Sequence, residues 1–390
     1  MSRVFTVFLL LILLSSCGQA GSVDIASQQT QAFQNALLTA TFSLPSPTAS
    51  ATLPPPTSTP EPAATITPGR TPPAQPGIFT TSLLNLVDQP SQYIEDYCGY
   101  LRNKWDPTKS APGTVVMPIM FHSITDGAVT SADQIHVSQF QQLIKDLRDQ
   151  GFEAISMTQF VDFMYENAKI PQRSVLLIVD DRKRSEYFET HFRPLYNDYG
   201  WVVVNAWISH PDTAPYLWEE NAWLEQQGYV DHQAHGVIHN INMTSDSTDE
   251  YMREELFGSI EAFQLHFSKI PTAIIWPGGS FTSRSVEIAR EAGYKVGFTI
   301  NPRGPVMFNW VPQGISLDPM RPSYIPEGDI HDPLMTLPRY WDTDASYHID
   351  TVRQIGNEAA SYAETNKAAE LEYYEIVCAP EMGEMPGGQP

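Results

Sequence analysis

The sequence predicts an α/β fold in which a parallel sheet, wrapped by helices, curls into a (β/α) barrel. Three observations carry that expectation. Strand-like and helix-like segments alternate from Gly113 onward, the pattern of parallel strands joined by crossover helices. Val175 to Val179 is apolar throughout, as in a strand covered on both faces, which is the habit of parallel sheets. The strand-like segments number about seven or eight and show no internal repeat, so a single barrel domain accounts for them.

Taken in order, GTVVMPIMFHSI opens the barrel as an apolar strand ending at His122. Ser138 and Gln141 form a capping box for a helix with Phe140, Leu143, Ile144 and Leu147 on one face and Gly151 as its stop. Phe152 to Ser156 reads as a strand, and Thr158 as the cap of a short helix to Tyr165. The central strand follows and ends in adjacent carboxylates, Asp180 and Asp181, at the end where barrels place their ligand-binding loops. Beyond it come a helix near Glu186 to Asn197, a strand Trp201 to Ile208, a helix Leu217 to Gln227 and a short strand Tyr229 to Ala234. A helix Asp249 to Phe267, a strand Ala273 to Trp276, a helix Arg284 to Ala292 and a strand Lys295 to Thr299 extend the alternation, and a last helix is expected from about Ile355 to Ile376.

The N-terminus supplies an address. Arg3 precedes the apolar run Val4 to Leu14, which is too short to span a bilayer and gives way to small residues, so 1–16 reads as a signal peptide. Leu14-Ser15-Ser16-Cys17 resembles a bacterial lipobox, which makes Cys17 the lipidated first residue of an extracytoplasmic protein anchored to the cell membrane. Residues 17–78 form a tether. Its stretch from Ser43 to Gly77 is dominated by Pro, Thr, Ser and Ala, and reaches on the order of 100 Å when extended. Residues 79–112 lead into the barrel at 113–345, and 346–390 form a C-terminal helix and tail. With 45 acidic against 23 basic residues and a net charge of −22, the chain lacks the cationic surface that nucleic acid demands. The 8 Trp, 17 Tyr and 18 Phe furnish a large core and surfaces able to stack on sugar rings. Oligomeric state leaves no mark in the sequence.

Chemistry gathers at two motifs. Asp180 and Asp181 end the central strand, and AHGVIHN places His235 and His239 four apart, on one face of a helical turn. Two imidazoles and one carboxylate suit a divalent metal with open positions, Zn²⁺ by default for a mixed N and O donor set, and leave the other carboxylate as a base. Each motif alone has a plain alternative, a solvated turn or a chance histidine pair; their joint occurrence favours the metal site.

In order along the chain, FHSI (Phe121 to Ile124), VDD (Val179 to Asp181), His235 with His239, and WPGG (Trp276 to Gly279) resemble the motifs of the polysaccharide deacetylases of the NodB-homology type, similar to carbohydrate esterase family 4. The resemblance spans roughly Gly113 to Arg339. It implies a distorted (β/α)7-8 barrel, here with a Pro/Thr-rich linker before it and a helix after it. It also implies a polysaccharide substrate whose N-acetyl groups are hydrolysed. By the family's pattern Asp181, His235 and His239 hold the metal, Asp180 is the base, and the Gly278 N–H stabilises the oxyanion. The family's late Leu-x-His acid has its nearest counterpart in His331, and His122 sits in the strand that family members carry near the site.

The chain also departs from the family. Arg182 replaces the glycine after the paired aspartates and is expected to depress the Asp180 pKa. Gly236 stands in the hydroxyl position between the histidines, and the usual arginine before the Pro-x-Gly turn is missing, so Arg339 is a candidate for orienting Asp180. Two function classes therefore stay open: a metal-dependent deacetylase, and a lipid-anchored carbohydrate-binding protein that has lost turnover. Once Cys17 is lipidated, Cys98 and Cys378 are the remaining thiols in an oxidising compartment and are expected to pair.

Overall fold

The computed structural model describes residues 70–238 and 242–387. The expected signal peptide, Cys17, the tether as far as residue 69, and His239 lie outside the described residues.

Among the described residues, the first elements are β1 (Asp88–Ser91) and α1 (Tyr97–Trp105). The fully buried β2 (Val115–Phe121) follows, then a small parallel pair, β3 (Ser123–Thr125) and β4 (Gln134–His136). Helix α2 (Val137–Asp149) buries the predicted face of Phe140, Leu143, Ile144 and Leu147. Its capping box is made by His136 and Gln139, not Ser138 and Gln141, because the backbone is still extended at His136 and already helical at Val137. The same shift occurs after β5 (Glu153–Ala154), where Ser156 rather than Thr158 caps α3 (Met157–Glu166). The central strand is β6 (Arg173–Asp180). The helix expected next is two, α4 (Ser185–His191) and α5 (Arg193–Tyr199), broken at Phe192 where Pro194 removes a backbone donor. Then come β7 (Val203–Trp207), α6 (Pro215–Gln227), β8 (Val230–Ala234), α7 (Asp249–Phe267), β9 (Ala273–Ile275), α8 (Ser283–Ala292), β10 (Val296–Phe298), β11 (Val311–Gly314), β12 (Tyr340–Trp341) and α9 (Ala345–Tyr373). The last helix starts at Ala345 rather than near Ile355.

The main sheet is parallel and runs β10-β9-β8-β7-β6-β2-β12, with β5 beside β6. Alternate residues of each central strand enter different cores. Val115, Met117, Ile119 and Phe121 of β2, with Val175, Leu177 and Val179 of β6, pack beneath α2 and α9. Val116, Leu176 and Ile178 pack on the opposite face with Ile275 and Phe298 from the far strands, which makes that face the inside of the curl. Each such side chain contributes about 1.5–3 kcal/mol on burial.

A short segment draws the edges of the sheet together. The Leu337 N–H donates to Gly297 O at 2.8 Å and the Thr299 N–H to Leu337 O at 2.9 Å, while Tyr340 and Trp341 pair with Ile119 and Met120 of β2. The sheet is thus a curled half-barrel sewn to itself by a seam, in keeping with the predicted distorted barrel.

Around the lead-in segment, Cys98 on α1 is bonded to Cys378, as expected, with their Cα atoms 5.5 Å apart across a sequence separation of 280. Beside it Lys104 and the Trp105 indole both engage Glu370 of α9. Arg70 pairs with Glu372 and Glu375, and the Tyr362 hydroxyl donates to Gly77 O, so the described end of the expected tether lies along α9. A buried network fixes β1, which pairs antiparallel with β11: Arg303 engages Asp88 at 2.9 Å and Glu327 at 3.0 Å and donates to Ile325 O.

Candidate active site

Asp180 ends β6 with the parity of Ile178, so its carboxylate enters the curl, where it is almost wholly buried. Arg339, just before β12, donates from Nη1 to Asp180 Oδ1 at 2.7 Å and from Nε to Thr299 O at 2.7 Å. The other oxygen, Oδ2, faces His122 Nε2 at 3.6 Å. Register accounts for that approach: Phe121 is level with Val179, so the next residues of β2 and β6 stand side by side. Burial pushes the Asp180 pKa up, but Arg339, then His235 and His122, outweigh it and hold the carboxyl down to about 2.

Arg182 does not do this. Its guanidinium donates to the Thr213 hydroxyl at 3.0 Å, so the expectation that Arg182 depresses Asp180 is corrected: the cation responsible is Arg339. Nor does position 182 need a glycine. The left-handed residue of the turn is Asp181, at φ 73°, a conformation that Asp adopts more readily than most residues.

That turn brings Asp181 Oδ1 to 3.9 Å from His235 Nε2, with Lys183 Nζ 3.9 Å from the other oxygen. His235 follows β8, and its Nδ1 lies 2.7 Å from Ile275 O, an acceptor that fixes the proton on Nδ1 and leaves Nε2 as the ligating nitrogen. A carboxylate opposite an imidazole so oriented fits a divalent cation in its donor chemistry. Among the described residues no three His, Cys, Asp or Glu groups gather as a metal site, and the third expected donor, His239, lies outside them. The helical turn expected at 235–238 is not formed, because Gly236 takes φ 76°.

Gly278 lies in the tight turn Pro277–Gly279 after β9, at φ 59°. That left-handed φ favours glycine, and a Cβ there would also displace the Asn242 side chain. A cavity of about 270 Å³ is lined by His122, Asp180, Asp181, His235 and Gly278, and also by Asp133 and Asn242. The last two were missed. Asp133 sits in a loop before β4 and Asn242 beyond the histidines, and neither belongs to a periodic pattern or a motif. His331 is not brought there. It is an exposed residue at φ 59° closing a 3₁₀ turn, and the neighbouring Asp332 is held by Arg290, so the assignment of His331 as acid is corrected.

Residues 167–297 match the family model described as polysaccharide deacetylase. This segment is of the polysaccharide deacetylase family. It contains VDD, the histidine pair and WPGG, whereas His122 and Arg339 lie outside it. Among solved structures, the chain is similar to a Streptococcus pyogenes deacetylase, PplD, in complex with acetate. The identity is 18%, the coverage 58% of this chain and 92% of that one, and the TM-score 0.45. It is also similar to a Bacillus cereus polysaccharide deacetylase, with 18% identity, 61% and 69% coverage and a TM-score of 0.46. IcaB from Ammonifex degensii gives 15% identity, 62% and 97% coverage and a TM-score of 0.47. At such identity nothing that those proteins bind or do passes to this chain. No curated protein matches the sequence.

Proposed function

We propose that this polysaccharide deacetylase-family protein is a metal-dependent hydrolase. It removes acetyl groups from an N-acetylhexosamine polymer, exopolysaccharide or peptidoglycan, outside the cytoplasm, where a lipid on Cys17 holds it to the membrane. The observation that carries this reading is the buried Asp180 carboxylate. One of its oxygens is fixed by Arg339, while the other faces His122 in a cavity shared with Asp181 and His235. Asp181 and His235, with His239, would hold the cation, zinc first. A bound divalent cation supplies Lewis acidity to the amide carbonyl and makes water in the cavity more acidic.

The chain's own groups have separate tasks. Asp180 is an anion at neutral pH, and because Arg339 occupies Oδ1, Oδ2 is the oxygen that takes a proton from the attacking water. The Gly278 N–H turns toward the carbonyl oxygen as charge develops on it. His122 Nε2, beside Asp180 in the same cavity, is the group placed to protonate the departing amine, the role the sequence had assigned to His331. The reading without turnover rested on Arg182 beside Asp180 and on the want of an acid. Arg182 engages Thr213 and His122 lines the cavity, so neither supports it.

The test is acetate release from N-acetylglucosamine oligomers together with bound metal, measured on one sample of wild type and His122→Gln. Turnover that falls about 10²–10⁴-fold at unchanged metal content supports the assignment. Full activity in His122→Gln would return the acid to an unknown residue, and a wild type that binds oligomer without releasing acetate would leave the carbohydrate-binding protein.

A further inference from the structure

The loop that carries His235 is held by a buried acid that no motif contains. Glu255 lies on α7, wholly buried, and its carboxylate accepts the Val237 N–H at Oε2 and the Ile238 N–H at Oε1, each at 2.8 Å. These are the two amides that follow Gly236. A Cβ on residue 236 would stand 2.3 Å from Glu255 Oε2 and 3.0 Å from Pro277 Cγ, so the carboxylate fills the space that any other side chain at 236 would need. Two further bonds fix the histidine from the sheet side: the His235 N–H donates to Trp207 O, and the ring Nδ1 meets Ile275 O. The sheet thus sets where His235 starts, and Glu255 sets the direction in which the chain leaves it.

We propose that Glu255 is a positioning residue for the metal site: a carboxylate clamp that imposes the left-handed turn at Gly236 and so aims His235 Nε2 at Asp181. A carboxylate is suited to the task because it accepts two backbone donors at once, and charge-assisted bonds to N–H groups are shorter and stronger than neutral ones. Burial raises the Glu255 pKa by more than the two amides lower it, and the proposal stands on the geometry of the two bonds rather than on its titration. Gly236 and Glu255 act as one unit, since each occupies what the other leaves.

This inference rests on the metal reading, and the test separates the two. Amide hydrogen exchange on the metal-free, full-length protein is compared between wild type and Glu255→Gln, and Co²⁺ is then titrated into both. A carboxamide offers one acceptor oxygen where the carboxylate offers two. Exchange is therefore expected to rise at least tenfold at Val237 and Ile238 with β6 and β9 unchanged, and Co²⁺ affinity to fall at least tenfold. Gly236→Ala, which presses on the same contact from the other side, is expected to weaken Co²⁺ binding similarly, and it carries the test should Glu255→Gln fail to fold. Unchanged exchange, or equal Co²⁺ affinity in wild type and variants, would overturn the clamp. A wild type that takes up no Co²⁺ while Val237 and Ile238 still depend on Glu255 would overturn the metal reading instead.

Discussion

Among the described residues two arginines are buried, and the difference between them separates structure from chemistry. Arg303 meets Asp88 and Glu327 and gives a further bond to Ile325 O, while Arg321 takes the second oxygen of Asp88. Arg339 meets one oxygen of Asp180 and Thr299 O, and its Nη2 has no hydrogen-bond partner among the described residues. The first cluster binds strands together with its valences closed. The second keeps acceptors and donors in reserve at the rim of a cavity, and open valences in a buried ion pair are costly unless something else uses them.

The sharpest way to break this contrast is Asp180→Asn. Acetate release is expected to fall about 10²–10⁴-fold with bound metal unchanged, because the change removes a base and no ligand. Equal loss of metal, read by elemental analysis, would mean that the two aspartates have exchanged roles. Arg303→Met should act in the opposite sense. It leaves Glu327 buried without its counter-ion and Asp88 with Arg321 alone, and costs about 3–5 kcal/mol in urea unfolding, yet acetate release per folded molecule should persist. Cys98→Ser with Cys378→Ser belongs with the structural cluster and should cost about 2–4 kcal/mol without touching turnover.

The last of these tests concerns Asp342, a buried carboxyl whose pKa is pushed up to about 8 by burial and by the charges of Asp344, Asp180 and Asp133, against the lowering effect of a hydrogen bond from the Thr343 backbone. Its unfolded value is near 3.8, so between about pH 4 and pH 8 the folded protein holds a proton that the unfolded chain has lost, and stability falls as pH rises through that window. Asp342→Asn should flatten the slope, narrowing the difference in stability between pH 5 and pH 8, as checked by urea midpoints at both values.

The parallel strands and their order were legible because apolar runs such as Val175 to Val179 read the same in sequence and in structure, and Asp249 to Phe267 is the helix that its pattern predicts. Helix starts were off by two residues where Ser, Thr and His compete as caps, a choice made by the backbone of the preceding residue. The motifs pointed to Asp180, Asp181, His235 and Gly278, and the fold brings these four to one cavity. They also pointed to His331, which the fold leaves exposed and away from that cavity. Glu255 and Asp133 had no signal at all, because a contact between helix and loop leaves no period in either segment.

The seam at Leu337 to Trp341 has a consequence for the order in which the protein becomes competent. Asp180 and Arg339 are 159 residues apart in sequence, and the partner that keeps the aspartate charged arrives last, on the same stitch that closes the sheet. A chain emerging from its N-terminus can lay down the central strands, both aspartates and His235 and still hold a buried carboxylate with no guanidinium beside it. Such an intermediate would favour the protonated acid, and with it an inert centre. On the proposed function, activity would wait for the final stitch, and an unfinished chain would stay silent however much of its core has formed.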